Sequence, residues 1–139
     1  MMATVDASTA AKWYFAEQYS EAATRLLDPV HILIAPDLLL AEFGNVVWKH
    51  VRRGDVAVAE ALDTLAALLN VPIDFYPSAS VINLALDLDC ETGRTVYDCM
   101  YLALARAAGC QLVTADQRFY NALQRSPYAT TLVWVEDVT

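Results

Sequence analysis

The chain is poor in several residue types, and each shortage excludes a class of protein. It has only 4 glycines and 5 prolines among 139 residues, and no repeat, low-complexity stretch or linker divides it, so we treat residues 1–139 as a single domain. Its three cysteines, Cys90, Cys99 and Cys110, are odd in number and show no C-x-x-C spacing. Neither a disulfide framework nor a cysteine zinc site is indicated, and buried reduced thiols are expected.

Long hydrophobic runs are also missing. The best candidate, HILIAPDLLLAEF, is interrupted by Pro36 and Asp37, and no run reaches the roughly 18 apolar residues that a membrane span needs. The first residues, MMATVDAS, have neither the basic nor the apolar region of a secretory signal. We therefore expect a cytoplasmic protein with no membrane partner.

Basic residues are scarce. Nine lysines and arginines against seventeen acidic residues give a net charge of −8. This balance argues against loose nucleic-acid binding, which needs a basic surface, and suits a partner that brings positive charge, such as a metal ion or a basic protein segment. The one basic cluster, Lys49, His50, Arg52 and Arg53, fits favourable charge at a helix C-terminus as well as it fits phosphate contacts.

Apolar residues, by contrast, make up 57% of the chain, and they alternate between short runs and longer helical patterns. The runs MATV, HILIA, VPIDFY, QLVTA and TLVWVE are predicted strands. Between them we predict helices, among them one that continues from the first strand past Trp13 to Leu26, and one that Asp55 caps, with Val58, Leu62, Leu65 and Leu69 on its apolar stripe. Alternating strands and helices indicate an α/β fold, a three-layer α/β/α sandwich around a parallel sheet of about five strands.

Acidic residues follow two of the predicted strands. Asp6 ends the first, in TVDAS, and Asp116 ends the fourth, in LVTAD. Sites in parallel sheets form beyond the carboxyl ends of strands, so these two acids would meet if the strands are neighbours. Each of these two acids can equally be the N-cap of a helix. Asp98 has a comparable alternative, because it lies three residues after Thr95 and can be the acid of a capping box. Both interpretations stay open at all three positions.

Glu42 has no such capping explanation. It lies within LLLAEFGNVVW, with Asn45 three residues later on the same helical face, and a carboxylate buried among apolar residues needs a partner. Four converging carboxylates repel one another, and hard oxygen ligands select Mg²⁺ or Mn²⁺. No histidine lies near these acids in the sequence, which speaks against a zinc hydrolase, whereas Mg²⁺ held by acids suits phosphodiester cleavage. Asp6 and Asp98, on the first turns of central elements, are the expected primary ligands.

Four segments carry a family resemblance. VDASTAAKWYFAE, LLLAEFGNVVWK, RTVYDCMYLALA and LVTADQRF resemble the signature segments of PIN-domain ribonucleases, and most closely those of the VapC-type toxins of bacterial toxin–antitoxin pairs. The resemblance spans essentially the whole chain. It implies that Asp6, Glu42, Asp98 and Asp116 form an acidic metal site, with Ser8, Asn45 and Thr114 as supporting polar residues.

The same resemblance implies a sheet order of 3-2-1-4-5, a Mg²⁺- or Mn²⁺-dependent endoribonuclease acting on RNA, a cognate antitoxin and a homodimer. The aromatics Trp48, Tyr14 and Tyr19 are candidates for the dimer surface. Some members carry a further acid after the fourth, where this chain has Gln117, Arg118 and Phe119, so a second, fully occupied metal position is not implied. Arg94 and Arg118 are candidate phosphate contacts, although solvated surface arginines explain them equally well.

Other classes of α/β protein with acids at strand ends fit less well. A receiver domain needs paired acids after the first strand and a lysine after the fifth, but no lysine follows Lys49. A haloacid-dehalogenase-like phosphatase needs an acid where Ser8 stands. The remaining alternative is a catalytically inactive PIN-like module that binds RNA or protein, and the presence of all four acids disfavours it.

Overall fold

A computed structural model describes residues 1–139 and contains one five-stranded parallel sheet. The strands are β1 (Met2–Val5), β2 (Ile32–Pro36), β3 (Ile73–Tyr76), β4 (Gln111–Thr114) and β5 (Leu132–Trp134). Their order is β3-β2-β1-β4-β5, and every neighbouring pair is parallel. The predicted fold class and strand order are therefore confirmed, and β1 lies directly beside β4.

Seven α-helices connect the strands and form the outer layers. They are α1 (Ala7–Ala11), α2 (Ser20–Thr24), α3 (Leu38–Arg52), α4 (Val58–Asn70), α5 (Ile82–Thr92), α6 (Val96–Ala108) and α7 (Gln117–Ala122). Helices α1, α3 and α4 pack in succession on one side of the sheet, while α5 and α6 pack together on the other, as right-handed crossovers require. None of the helices combines the length and apolar character needed to cross a membrane.

Helix α6 forms the centre of the molecule. Its residues Cys99–Ala105 are all buried, because the helix contacts β1, β2 and β4 on one side and α5 on the other. A helix that is apolar all round can only be stable in such an enclosed position. Asp98 immediately precedes this buried run, and so the fold places it at the border between the core and solvent.

The helix predicted to run from the first strand to Leu26 is wrong. Helix α1 ends at Ala11, and α2 begins only after Tyr19, which has a left-handed backbone conformation with φ 71°. Trp13, Tyr14 and Phe15 all pack against the core, and three consecutive residues cannot point the same way on a helix. The chain leaves the helix so that all three rings are partly buried. Tyr14 and Tyr19 are thus not exposed aromatics, whereas Trp48 is 52% exposed.

The predicted apolar stripe of α4 is only partly buried. Val58, Leu62 and Leu69 are between 61% and 63% exposed, and of the stripe only Leu65 packs against the core, beside the buried Ala61 and Leu68. Periodicity identified the helix correctly but not the face that it buries. The structure thus leaves an apolar stripe in solvent, of the kind found at protein interfaces.

The predicted cap of α4 is wrong for a local reason. The Asp55 carboxylate pairs with His50 Nδ1 at 3.0 Å, and the helix starts later, with the Ala57 amide donating to Glu60 Oε1 at 3.2 Å.

Candidate active site

The carboxyl edge of the sheet brings the predicted acids into one region. Asp6 follows β1 directly, and Asp116 lies two residues beyond the end of β4, the neighbouring strand. Asp98 stands in the first turn of α6 and Glu42 in the second turn of α3. Parallel strands end at the same edge, so two acids are brought together by the sheet and two by the helices beside it.

Asp6 is the most enclosed of the four. Its Oδ1 accepts from the Ser8 hydroxyl at 2.7 Å and from the Thr9 amide at 2.9 Å, and its Oδ2 accepts from the Thr114 hydroxyl. Burial raises the pKa of Asp6, and the hydrogen bonds from Thr114, Ser8 and Thr9 oppose that rise. Ser8 and Thr114, both predicted to support the site, fix this carboxylate in place.

Glu42 finds its partner in a tyrosine. The Tyr101 hydroxyl donates to Glu42 Oε1. Burial raises the pKa of Glu42, the Tyr101 bond lowers it, and repulsion by Asp6 and Asp98 raises it further. The pKa of Tyr101 is raised by its own burial and by the neighbouring Glu42 charge, so the hydroxyl stays a neutral donor.

Tyr101 is a site residue that the sequence analysis missed. Its spacing gave a signal, because it lies one turn after Asp98 on α6 while Glu42 lacked a partner. The two residues are 59 positions apart, so only the packed structure shows that they meet.

Asp98 is paired with an arginine. Arg94 Nη2 lies 3.2 Å from Asp98 Oδ2. Burial raises the pKa of Asp98, the Arg94 charge lowers it, and repulsion by Asp116 raises it. The Asp98 amide donates to the Thr95 hydroxyl at 3.2 Å, which is the capping bond of Thr95, but the carboxylate does not return the reciprocal bond of a capping box.

Asp116 caps a helix and belongs to the site at the same time. Its Oδ1 accepts from the Phe119 amide at 3.1 Å at the start of α7. Its charge nevertheless lies close enough to Asp98 to raise the pKa of that carboxyl. The capping interpretation is therefore correct for Asp116, and it does not remove the residue from the acidic group.

The four carboxylates repel one another in a connected series. Asp6 and Asp98 both act on Glu42, and Asp116 acts on Asp98. Three oxygens of the group, Glu42 Oε2, Asp98 Oδ1 and Asp116 Oδ2, accept no hydrogen bond from the protein. They contact solvent, because the only buried side-chain polar atom without a partner is Arg94 Nε. The site therefore combines unneutralised negative charge with oxygens that are open to a ligand.

The remaining predicted residues are less closely connected to the site. Asn45 and Arg118 are exposed and form no hydrogen bond with the four carboxylates, so their supporting and phosphate-contact roles stay predictions. Arg94 contacts Asp98, and its guanidinium carbon also lies 5.8 Å from the Phe119 ring centroid; its predicted phosphate contact is equally untested.

The donor set suits a hard cation that keeps part of its water shell. No three His, Cys, Asp or Glu side chains form a group that could hold a metal ion as they stand. Mg²⁺ does not need such a group, because it commonly binds through one or two carboxylates and retains several waters. Oxygen-only ligands, mutual repulsion and solvent-facing carboxylate oxygens fit that mode of binding.

A large concave surface lies away from these acids. It is a mostly apolar hollow between Leu26, Ile32 and Val71, with a volume of about 610 Å³. It contains none of the four carboxylates. Charge and hydrogen bonding, not the size of a cavity, therefore locate the candidate active site.

Comparisons with known proteins identify the family and agree with the fold. The family model of the PIN domain matches residues 3–122. Ribonuclease VapC3 of Pyrobaculum aerophilum is 37% identical over 120 residues, which cover 85% of this chain and 92% of the relative. Among solved structures, PAE2754 from Pyrobaculum aerophilum superposes with a TM-score of 0.73 at 24% identity, covering 98% of this chain and 85% of its own. A toxin–antitoxin complex from Klebsiella pneumoniae gives 0.64 at 15% identity, covering 94% and 95%.

Proposed function

Because the chain belongs to the PIN-domain family, we propose that it is a Mg²⁺- or Mn²⁺-dependent endoribonuclease and the toxin of a type II toxin–antitoxin pair. The observation that carries the proposal is the connected series of four carboxylates, with three oxygens left open to solvent. A module that only binds RNA or protein has no need to bring four like charges together. Such an arrangement raises the energy of the folded protein unless a cation offsets it.

The roles of the residues follow from their contacts. A bound Mg²⁺ would supply an activated water and stabilise the charge that develops on the phosphate. Asp98, through its open Oδ1, and Asp6, whose Oδ2 accepts a single hydrogen bond from Thr114 and keeps a second lone pair, are the proposed direct ligands. Thr114 and Ser8 hold the Asp6 carboxylate, and Tyr101 holds the Glu42 carboxylate. These two acids are therefore oriented before substrate arrives.

The proposal includes protein partners. The name of the 37% identical relative describes a VapC ribonuclease, and one structural neighbour is a toxin–antitoxin complex. The exposed stripe of α4, together with Trp48 on α3, is apolar surface that a homodimer or an antitoxin would cover. The acidic region offers a second contact, because an arginine of the antitoxin can pair with its carboxylates.

Cleavage of RNA by the purified protein tests the function. We expect cleavage with Mg²⁺ or Mn²⁺, none with a chelator, and none by Asp6→Asn under either condition. The matched control is Asp63→Asn, which changes an exposed acid on α4 and should leave cleavage unchanged. If the wild-type protein binds RNA with either metal but never cleaves it, the chain is the inactive binding module instead.

A further inference from the structure

Three aromatic side chains form a group that the proposed catalytic residues do not use. The Trp134 ring lies edge-on to the Tyr19 ring, with centroids 5.1 Å apart at 81°, and 5.5 Å from the Tyr120 ring at 53°. All three side chains are partly exposed. We call Tyr19, Tyr120 and Trp134 the aromatic platform.

The sheet and α7 place the aromatic platform beside the acidic site. Trp134 is the cross-strand partner of Thr114, one strand spacing or about 4.8 Å away, and the Thr114 hydroxyl donates to Asp6. Tyr120 follows Asp116 by one helical turn, and its amide donates to the Asp116 carbonyl at 2.9 Å. Trp134 is therefore one strand away from Thr114, which holds Asp6, and Tyr120 belongs to the helix that Asp116 caps.

Helix α1 supplies a third connection. Lys12 follows Ser8 by four residues, one helical turn or about 6 Å along the axis, and its Nζ lies 5.8 Å from the Tyr19 ring centroid. The same Nζ is paired with Glu17 at 3.2 Å. The lysine therefore connects the end of α1 with the Tyr19 ring, and Glu17 already largely balances its charge.

We propose that the aromatic platform binds an unpaired nucleobase of the RNA segment whose phosphate lies at the acidic site. The inference rests on the proposed nuclease function and concerns how the protein holds its RNA substrate. Aromatic rings bind RNA by stacking with bases that no longer pair or stack within a helix. Because Trp134 is paired with Thr114 and Tyr120 lies one turn after Asp116, the base on the platform should belong to a nucleotide close to the phosphate at the acidic site.

The charge of the chain gives an independent argument for stacking. A protein with a net charge of −8 has few lysines and arginines with which to neutralise phosphates, so phosphate contacts can contribute little to affinity. Stacking on uncharged rings does not depend on such contacts. RNA binding by this chain should therefore weaken only slightly as salt is raised, in contrast with a protein that binds through a basic surface.

The first experiment changes the RNA and leaves the protein intact. The affinity of the wild-type protein for a single-stranded RNA octamer is measured by fluorescence anisotropy in a chelating buffer, where no cleavage occurs. Octamers with one abasic site at each successive position are then compared. One position should lower the affinity about tenfold, within the range measured for loss of one stacked base. Equal affinities for all abasic octamers would overturn the proposal without any mutation.

The second experiment changes the platform. Trp134→Leu and Tyr120→Leu should weaken binding of the intact octamer about tenfold, whereas Trp134→Phe, which keeps a ring, should restore most of it. In Trp134→Leu, the sensitive abasic position should have no further effect. The matched control is Tyr76→Leu, an exposed aromatic on β3, the opposite edge strand, which should bind as the wild type does.

The outcomes separate the platform from the nuclease function. Metal-dependent cleavage together with unchanged RNA affinity in Trp134→Leu and Tyr120→Leu would overturn the platform and leave the nuclease intact. If the same two variants keep their affinity for RNA but lose affinity for an arginine-rich peptide, the rings bind a cationic protein partner. That result would also overturn the proposal. Absence of both binding and cleavage in the wild type would remove the nuclease function and the platform with it.

Discussion

The hydrogen bond from Thr114 to Asp6 is the contact whose removal tests the electrostatics of the site most directly. Thr114 is completely buried at the end of β4. Its hydroxyl donates to Asp6 Oδ2 and accepts from the Asp116 amide at 3.1 Å. Thr114→Val keeps the volume of the side chain and removes both hydrogen bonds.

The expected loss of stability follows from these two bonds. A hydrogen bond to a charged group contributes about 1.5–3 kcal/mol, and the bond with the Asp116 amide about 1 kcal/mol. We therefore expect Thr114→Val to lower the free energy of unfolding by about 2–4 kcal/mol at neutral pH. For a domain of this size that corresponds to a fall in Tm of roughly 6–16 °C.

The loss should depend on pH with a definite sign. Burial raises the pKa of the Asp6 carboxyl, so the folded protein holds the carboxyl proton more tightly than the unfolded chain does. The free energy of unfolding therefore falls as pH rises through the pKa of the folded state. The Thr114 bond favours the ionised carboxylate and limits that loss. Without it the pKa of Asp6 rises further. The difference between Thr114→Val and wild type should therefore be largest at neutral pH and shrink as acid protonates Asp6.

Urea unfolding followed by circular dichroism at several pH values measures this difference. Thr4→Val is the matched control, because Thr4 is equally buried in the neighbouring strand, where its hydroxyl contacts only the Cys110 sulfur at 3.5 Å. A double mutant with Asp6→Asn should show strong coupling between the two sites. Equal losses in Thr114→Val and Thr4→Val, or a loss that does not change with pH, would refute the reasoning.

Two further predictions concern charge and assembly. Arg94→Gln frees the Asp98 carboxylate from its ion pair, so Mn²⁺ should bind several-fold more tightly in calorimetric titrations without RNA; unchanged or weaker binding would show that Arg94 does not compete with the metal. The protein should sediment as a dimer at micromolar concentration, and Leu62→Glu on the exposed stripe of α4 should shift it towards monomer, with Asp63→Asn as the control. A wild-type monomer would refute the dimer, and a dimer unaffected by Leu62→Glu would place the interface elsewhere.

The sequence predicted the sheet, and the position of two acids at its carboxyl edge, because both follow from local patterns. Short apolar runs ending in Asp6 and Asp116 indicate strands with polar ends, and the parallel arrangement follows from the helices between them. The resemblance then placed the first strand beside the fourth, as the structure confirms. The resemblance also indicated Ser8, Asn45 and Thr114 as supporting residues, and the structure places the hydroxyls of Ser8 and Thr114 on the Asp6 carboxylate.

Contacts between distant parts of the chain were not predictable in this way. The bond of Tyr101 to Glu42 and the neighbourhood of Tyr19 and Trp134 join residues far apart in sequence. The exposure of the α4 stripe was not predictable for another reason. Helical periodicity shows that leucines share a face, but it does not show whether that face packs against the core. There Ala61, Leu65 and Leu68 lie against the protein, and Val58, Leu62 and Leu69 stay outside.

Asp116 shows how one carboxylate serves both the fold and the site. Its Oδ1 is occupied by the Phe119 amide, while Oδ2 accepts no hydrogen bond from the protein. Because asparagine caps helices as well as aspartate does, Asp116→Asn should change the free energy of unfolding by less than about 0.5 kcal/mol and yet abolish metal-dependent RNA cleavage. Asp116→Ala removes the cap as well and should lower stability by about 1 kcal/mol. Thermal unfolding and cleavage assays on the same samples separate the two roles. Full cleavage by Asp116→Asn would show that Asp116 only caps α7 and that its negative charge beside Asp98 has no part in the reaction.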